Sequence, residues 1–417
     1  MIYAPPALDA ISEKRVSADL DVEPGTLPAT MDAWVIREER QGEPKDAFAL
    51  ERIEVPEPGP FEVIVRVMAA GVNFNSIWAS LGKPVSVFGF GDHPEHGHHI
   101  GGSDGAGIVW KVGAGITRWK PGDEVVLGSI LVSYEDVEVH GLDTLAAPSL
   151  LAWGYETTWG SFAQFAKVQA HQLFPRPQNL SWSDAATYGV GYFTAYRMLI
   201  SQCDLQPGQN VLVWGAAGGL GVFAVQLCKL AGANAVGVVS SEEKGELVKE
   251  LGAVDYINRE EFGAMMRTRE NLADATADRE RFKATRAFAK RVKEILGDAP
   301  DVVFEHVGRA TFPTSVFVVK PFGKIVICGA TSGFHLDFDA RYLWMRQKQI
   351  IGSHYANPYE CMQANRLMAE GKVKPVVWKT MGFEDVPAAH QLLYENKHQG
   401  KISILVGAGS ADAGRNE

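Results

Sequence analysis

The stretch with the clearest chemical meaning is Val211-Leu-Val-Trp214, followed by Gly215-Ala-Ala-Gly218-Gly219-Leu220-Gly221 and an apolar helical run. A buried strand that turns through glycines into a helix offers free backbone N–H groups and the positive end of a helix dipole, which together hold a pyrophosphate. Gly215 permits the tight turn, Gly218 or Gly219 lets backbone approach the phosphates, and Gly221 lets the helix pack close to the sheet. Leu220, inside the turn, is grouped with this cofactor loop. The next strand, Ala235 to Val239, runs into Ser240-Ser241-Glu242-Glu243-Lys244. A site for NAD places an acidic residue at that tip to hold the ribose 2′-hydroxyl. Here two hydroxyls come first and Lys244 follows one helical turn on. That suits a 2′-phosphate, so NADPH is the expected cofactor, although Glu242 argues the other way.

Metal chemistry finds no ligands. Zinc alcohol dehydrogenases share this layout but need Cys and His around a catalytic ion, often with four clustered cysteines around a structural one. Cys203, Cys228, Cys328 and Cys361 are scattered, and Gly101-Gly102-Ser103-Asp104-Gly105 stands where a zinc-type sequence carries its His-Glu pair. His93, His96, His98 and His99 lie in a Gly/Pro loop without a Cys or carboxylate at fixed spacing, and they read as a surface loop. No metal is expected. Without a Lewis acid, hydride delivery to an activated C=C bond is the expected chemistry, because a thioester carbonyl already delocalises the developing charge.

Two kinds of scaffold must position these residues. From Met31 the chain breaks into short β-like runs separated by Gly and Pro, such as FEVIVRVMAAGV and GAGIVWKVGAGI, which suggests a small twisted antiparallel barrel. After Pro177 strands and helices alternate, the mark of a doubly wound parallel sheet. HQGKISILVGA, near the end, reads as a strand returning to the first domain. The predicted plan is an arm over 1–30, a β-rich catalytic domain from 31–190 and 350–417, and a Rossmann domain over 191–349 inserted into it. Charged residues crowd the stretch between Asn258 and Asp301, which reads as a solvated helical hairpin, with a lid or subunit contact as the alternative.

The bulk numbers exclude other classes of partner. With 417 residues, 46% of them hydrophobic, the chain is long enough for two cores. A net charge of −10 argues against nucleic acid and anionic membranes, so an anionic substrate must be met by a local basic patch. No apolar run reaches membrane-spanning length, and the acidic start of the chain lacks the apolar region of a signal peptide. Four cysteines without a CxxC pair fit a reducing cytoplasm.

Further segments narrow the reading. Val72-Asn73-Phe74-Asn75, Trp153-Gly154-Tyr155-Glu156-Thr157, Phe304-Glu305-His306, Arg341-Tyr342-Leu343-Trp344-Met345 and Gly352-Ser353-His354-Tyr355-Ala356 together resemble the crotonyl-CoA carboxylase/reductase family, from about Met31 to Val406. The resemblance implies a GroES-like catalytic domain and a homotetramer built as a dimer of dimers. It implies NADPH-dependent reduction of an enoyl-CoA, with the enolate-like species then attacking a bound CO2 to give an alkylmalonyl-CoA such as ethylmalonyl-CoA.

Four side chains organise the CO2 in that family, and by motif they fall on Asn75, Tyr155, Glu156 and His354. Asn75 and His354 would donate hydrogen bonds to the oxygens gaining charge, Glu156 would orient His354, and Tyr155 would keep bulk water from the enolate. By the same resemblance Thr194 lies near the nicotinamide, and Arg341 with Tyr342 serves substrate or subunit contact beside the basic residues Arg346 and Lys348. Many members carry Phe where Tyr155 stands, and His306-Val307-Gly308 departs from the usual His-Pro-Gly. Taken singly, these residues have duller readings: a turn or cap for Asn75 and Glu156, core packing for His354 and Tyr155. The rival functions are a non-carboxylating enoyl-CoA reductase and an NADPH-binding sensor that has lost its chemistry.

Overall fold

The computed structural model describes residues 22–89, 97–136, 143–266 and 275–415. In chain order its strands are β1 (Thr30–Val35), β2 (Ala49–Glu54), β3 (Glu62–Gly71), β4 (Asp104–Val112), β5 (Glu124–Leu127), β6 (Ile130–Leu131), β7 (Leu151–Ala152), β8 (Phe165–Gln169), β9 (Leu173–Pro175), β10 (Asn210–Val213), β11 (Asn234–Val239), β12 (Asp255–Asn258), β13 (Val302–Glu305), β14 (Lys324–Ile327), β15 (Gln349–Gly352), β16 (Val377–Met381) and β17 (Lys401–Leu405).

β10 to β15 form one parallel sheet in the order β12-β11-β10-β13-β14-β15. Such a sheet is covered on both faces, which explains why β10 and β13 are buried at every position. The order reverses between β10 and β13, the place where a doubly wound sheet opens a crevice beyond its strand ends. The helix Gly221–Leu230 packs on one face. The other is covered by Phe312–Val318 and by Ala275–Leu296, whose Phe288 is fully buried and stacks on Trp214 with centroids 5.3 Å apart. The charged stretch therefore contributes a sheet-covering helix with a buried stripe, and not a solvated hairpin or lid. Most of its charged side chains are exposed, Arg281 being buried in the stripe, and their number masked that stripe in the sequence.

The second sheet has the order β16-β17-β3-β4-β5-β9. One edge of β3 is shared: β8 pairs with its first half, antiparallel over Glu62–Arg66, and β17 with its second, antiparallel over Ala69–Gly71. The far end of the chain thus completes the sheet begun by β3, and residues 297 apart in sequence meet there.

Two further segments bear on the sequence expectations, the arm in part and the histidine loop as a correction. Residues before 22 lie outside the described part, but those just after are pinned: Gly25 N donates to Trp110 O at 2.7 Å and Trp110 Nε1 to Thr26 O at 2.8 Å. In the histidine loop, His93 and His96 lie outside the described residues. His98 and His99 are buried, His99 exchanging backbone hydrogen bonds with Ile36 and His98 meeting Trp159 edge to face. They are packing residues beside the β1–β2 pair, not part of a surface loop.

One buried histidine makes stability depend on pH. His390 lies between Phe48 and Phe162 with Nδ1 2.6 Å from Val386 O, and burial lowers its pKa from the ordinary 6.5 to about 4. The folded pKa lies below the unfolded one, so the unfolded chain binds the extra proton between those values. Stability is full above about 6.5 and is lost as pH falls toward 4, on the order of 1–2 kcal/mol from this residue between pH 7 and 5. Urea titrations at the two pH values are expected to show that loss, and His390→Leu to remove its share.

Candidate active site

The crevice at the strand-order reversal opens into a cavity of ≈ 690 Å³ lined by both sheets' elements. At its nucleotide end run Gly215, Gly218, Gly219 and Leu220, with Thr194 opposite on the helix Gly189–Tyr196. Two glycines are required by close approach. Gly215 has φ +56°, and a Cβ there would lie 2.9 Å from the His306 ring. A Cβ on Gly221 would stand 2.3 Å from Gly215 O, which is why the helix sits tightly beneath the turn. Backbone so exposed beside a helix start is a fitting seat for a dinucleotide's pyrophosphate.

Beyond the tip of β11 the lining holds Ser240, Lys244, Arg259 and His398. Lys244 Nζ lies 3.4 Å from Ser240 Oγ. Burial, then the nearby Arg259 guanidinium, lower the Lys244 pKa against the pull of Glu243. Burial and the charges of Lys244 and Lys401 lower His398 to about 4. Glu156 is the only carboxylate among the described lining residues, so this corner gathers cations that an anion would relieve. The residues fit a 2′-phosphorylated dinucleotide. Ser241 is placed differently: its Oγ caps the helix Glu242–Leu251 by accepting from Lys244 N at 3.3 Å, and it does not line the cavity.

At the other end Asn75, Tyr155, Glu156 and His354 all line the same cavity. Asn75, in the first turn of the helix Phe74–Leu81, donates from Nδ2 to Ser103 Oγ at 2.7 Å. Tyr155 donates from its hydroxyl to Lys83 O at 3.2 Å, and burial followed by the charge of Glu156 raises its pKa to about 12. Glu156 closes its own turn by accepting from Ala152 N at 2.7 Å. His354 is open to the cavity on one side, yet protein surrounds it closely. Desolvation therefore outweighs the attraction of Glu156 and lowers its pKa below 6.5, leaving the imidazole neutral at pH 7. Glu156 acts on His354 through its field, while its hydrogen bond goes to backbone.

Beneath these residues is a buried polar knot. Lys401 and Asp104 form an ion pair of 2.9 Å with side chains 3% and 0% exposed. Asn73 bonds both, donating to Asp104 Oδ2 at 2.8 Å and accepting from Lys401 at 2.5 Å, and Val190 N donates to Asp104 Oδ1 at 2.5 Å. Asp104 belongs to the Gly101–Gly105 stretch compared above with a zinc-type His-Glu pair, and here its carboxylate serves a lysine. Lys401, Arg259 and His398 escaped the sequence reading. Lys401 sits in a strand read only for its hydrophobic neighbours, and no local motif marks the other two. Conversely, Arg341 and Tyr342 are outside the cavity. Arg341 is exposed and forks onto Asp339, while Tyr342 meets Phe317 at 5.1 Å.

A doubly wound nucleotide-binding sheet joined to a GroES-like β-domain, with the site in the cleft between, defines a medium-chain dehydrogenase/reductase. Residues 59–178 match the alcohol dehydrogenase GroES-like domain, and residues 219–370 the zinc-binding dehydrogenase family. The crotonyl-CoA carboxylase/reductase of Cereibacter sphaeroides is 48% identical over 92% of this chain and 89% of its own. Among solved structures, crotonyl-CoA carboxylase/reductase AntE in complex with NADP superposes with a TM-score of 0.88 at 43% identity, covering 94% of this chain and 98% of that one. The 2-octenoyl-CoA carboxylase reductase CinF, in complex with NADP and 2-octenoyl-CoA, also gives 0.88, at 36% identity over 94% and 91%. The chain belongs to the crotonyl-CoA carboxylase/reductase family.

The knot beneath the site is expected to carry stability as well as position. Lys401→Met leaves the Asp104 carboxylate buried without its countercharge, a change that costs about 3–5 kcal/mol. Chemical denaturation is the measurement, and a midpoint equal to that of the unaltered protein would refute the assignment.

Proposed function

We propose that this chain is an NADPH-dependent enoyl-CoA carboxylase/reductase that converts crotonyl-CoA and CO2 to ethylmalonyl-CoA. The observation that carries the reading is the convergence of Asn75, Tyr155, Glu156 and His354 on the cavity that also contains the glycine turn. Simple reduction needs no such set, which weighs against a non-carboxylating reductase. When bound, NADPH supplies hydride to the β-carbon of the thioester.

The protein's own residues then decide what the α-carbon meets. Asn75 has an amide N–H beyond the one given to Ser103, and it can hydrogen-bond a CO2 oxygen as that oxygen gains charge. A neutral His354 has one ring N–H for the same task, directly or through a water. Being neutral, it is a poor acid toward an enolate. Glu156 supports His354 electrostatically, and Tyr155 covers one wall with its proton committed to Lys83 O. Because CO2 binds weakly, its value as an electrophile comes from being placed beforehand. Ser240, Lys244 and Arg259 receive the 2′-phosphate, the glycine turn receives the pyrophosphate, and Thr194 borders the nicotinamide.

The exposed edge strand β15, with Ile350 38%, Trp344 62% and Met345 68% exposed nearby, supports a homotetramer whose dimer seam follows that edge. Arg341 and Tyr342 then serve at or beside the seam, and a single-chain mass by light scattering would refute the assembly. Among the described residues no helix is long and apolar enough to cross a membrane. The four unpaired cysteines support a cytoplasmic enzyme, which cell fractionation checks.

Incubation with NADPH and crotonyl-CoA, with and without bicarbonate, is the decisive assay. Ethylmalonyl-CoA that depends on bicarbonate is expected, and butyryl-CoA alone at saturating bicarbonate would overturn the reading. Asn75→Ala is expected to lower the ratio of carboxylated to protonated product by roughly ten-fold or more. In the same assay Lys244→Ala and Arg259→Ala each raise KM for NADPH by about ten-fold, as the loss of a charge-assisted contact implies. KM for NADH is the control, expected to move much less.

A further inference from the structure

A carboxamide on a short side chain turns easily about its last torsion, so an Asn that must aim one N–H needs something to hold it. Asn75 has such a holder. Its Nδ2 donates to Ser103 Oγ at 2.7 Å, while its Oδ1 is enclosed in the wall without a partner. Among the described residues, Asn75 is the only partner of the Ser103 hydroxyl. One of the two amide N–H bonds is therefore committed to Ser103 and the other is left over. Ser103 is itself 1% exposed and is anchored from behind. Its carbonyl accepts from Ser129 Oγ at 2.5 Å, and Ser129 N donates to the phenol oxygen of Tyr355 at 3.0 Å. Tyr355 is buried and follows His354 directly, in a turn where its own φ is +51°.

A chain of three hydrogen bonds thus runs from Asn75, on the helix Phe74–Leu81, to the turn that carries His354. It links, through the Tyr355 phenol, two segments whose side chains Asn75 and His354 line the cavity from different parts of the sequence. We propose that Ser103 is a positioning residue for the carboxylation step: anchored through Ser129 to Tyr355, its hydroxyl fixes the Asn75 amide so that the remaining N–H meets the carboxylate forming from CO2. The proposal rests on the carboxylating reading above. Ser103 touches no reacting atom in it and acts through Asn75.

The test is the ratio of ethylmalonyl-CoA to butyryl-CoA, measured by mass spectrometry with crotonyl-CoA, NADPH and saturating bicarbonate. The ratio does not depend on how much of a variant is folded. Ser103→Ala is expected to lower it ~5-fold, the loss of about one neutral hydrogen bond, and Ser103→Thr, which keeps the hydroxyl, to restore it. Tyr355→Phe removes the anchor at the far end and should shift the ratio the same way, so it carries the test if Ser103→Ala does not fold. A purely structural role would lower total turnover at constant ratio, and that result overturns the proposal. Asn75→Ala separates the two ideas: if it lowers the ratio while Ser103→Ala and Tyr355→Phe do not, the positioning role is wrong and the carboxylating reading stands. Should the unaltered enzyme yield butyryl-CoA alone, both fall.

Discussion

The buried pair of Lys401 and Asp104 is the constraint on which the site depends. Taking a carboxylate and an ammonium out of water costs several kcal/mol for each ion, recovered only when the geometry is close and further hydrogen bonds fill the remaining positions. Asn73 and the Val190 backbone fill them here. The consequence is topological. Lys401 opens β17, Asp104 opens β4, Asn73 precedes the helix that bears Asn75, and Val190 lies in the first turn of the helix that bears Thr194. Four segments that supply cavity-lining residues are tied at one point. The stem of Lys401 also lies under the glycine turn: a Cβ on Gly219 would stand 2.7 Å from its Cδ, and Gly400 N donates to Ala217 O at 2.7 Å. The glycine turn and the segment bearing Asn75 are therefore tied through the same lysine.

The parts legible in the sequence were those with a local period. Alternating strands and helices announced the doubly wound sheet, and the glycine spacing marked the turn at its first strand. Asn75, Glu156 and His354, which line one cavity, were singled out because each lies in a short segment that resembles a family, not because any local pattern brings them together. The lysine of the knot could not be found in that way. Lys401 lies in a strand whose pattern speaks only of burial, and a buried lysine is recognised by its partner, 297 residues away. Arg259 and His398 reach one corner from separate segments for the same reason. The histidine loop misled for the opposite reason: a Gly/Pro-rich stretch suggests a surface loop, yet His98 and His99 are buried and His99 exchanges backbone hydrogen bonds with Ile36.

Tyr155 illustrates how a local change is absorbed by its surroundings. The family resemblance implies a phenylalanine there in many members, and under the proposed reaction a phenol at this place invites concern, since one proton transfer to the enolate would end the carboxylation. Three features of the site reduce that danger. The hydroxyl proton is directed to Lys83 O. Burial and the charge of Glu156 raise the pKa to about 12, so the group is a weaker acid than an ordinary tyrosine. His354, a second group that could give up a proton, has its pKa lowered by desolvation, which favours the neutral imidazole. The competition at the α-carbon is then between a positioned electrophile and whatever water enters. Selectivity in such a site comes less from strong attraction for CO2 than from leaving the nucleophile no acid to meet, and a tyrosine satisfies that condition as long as its proton stays engaged elsewhere.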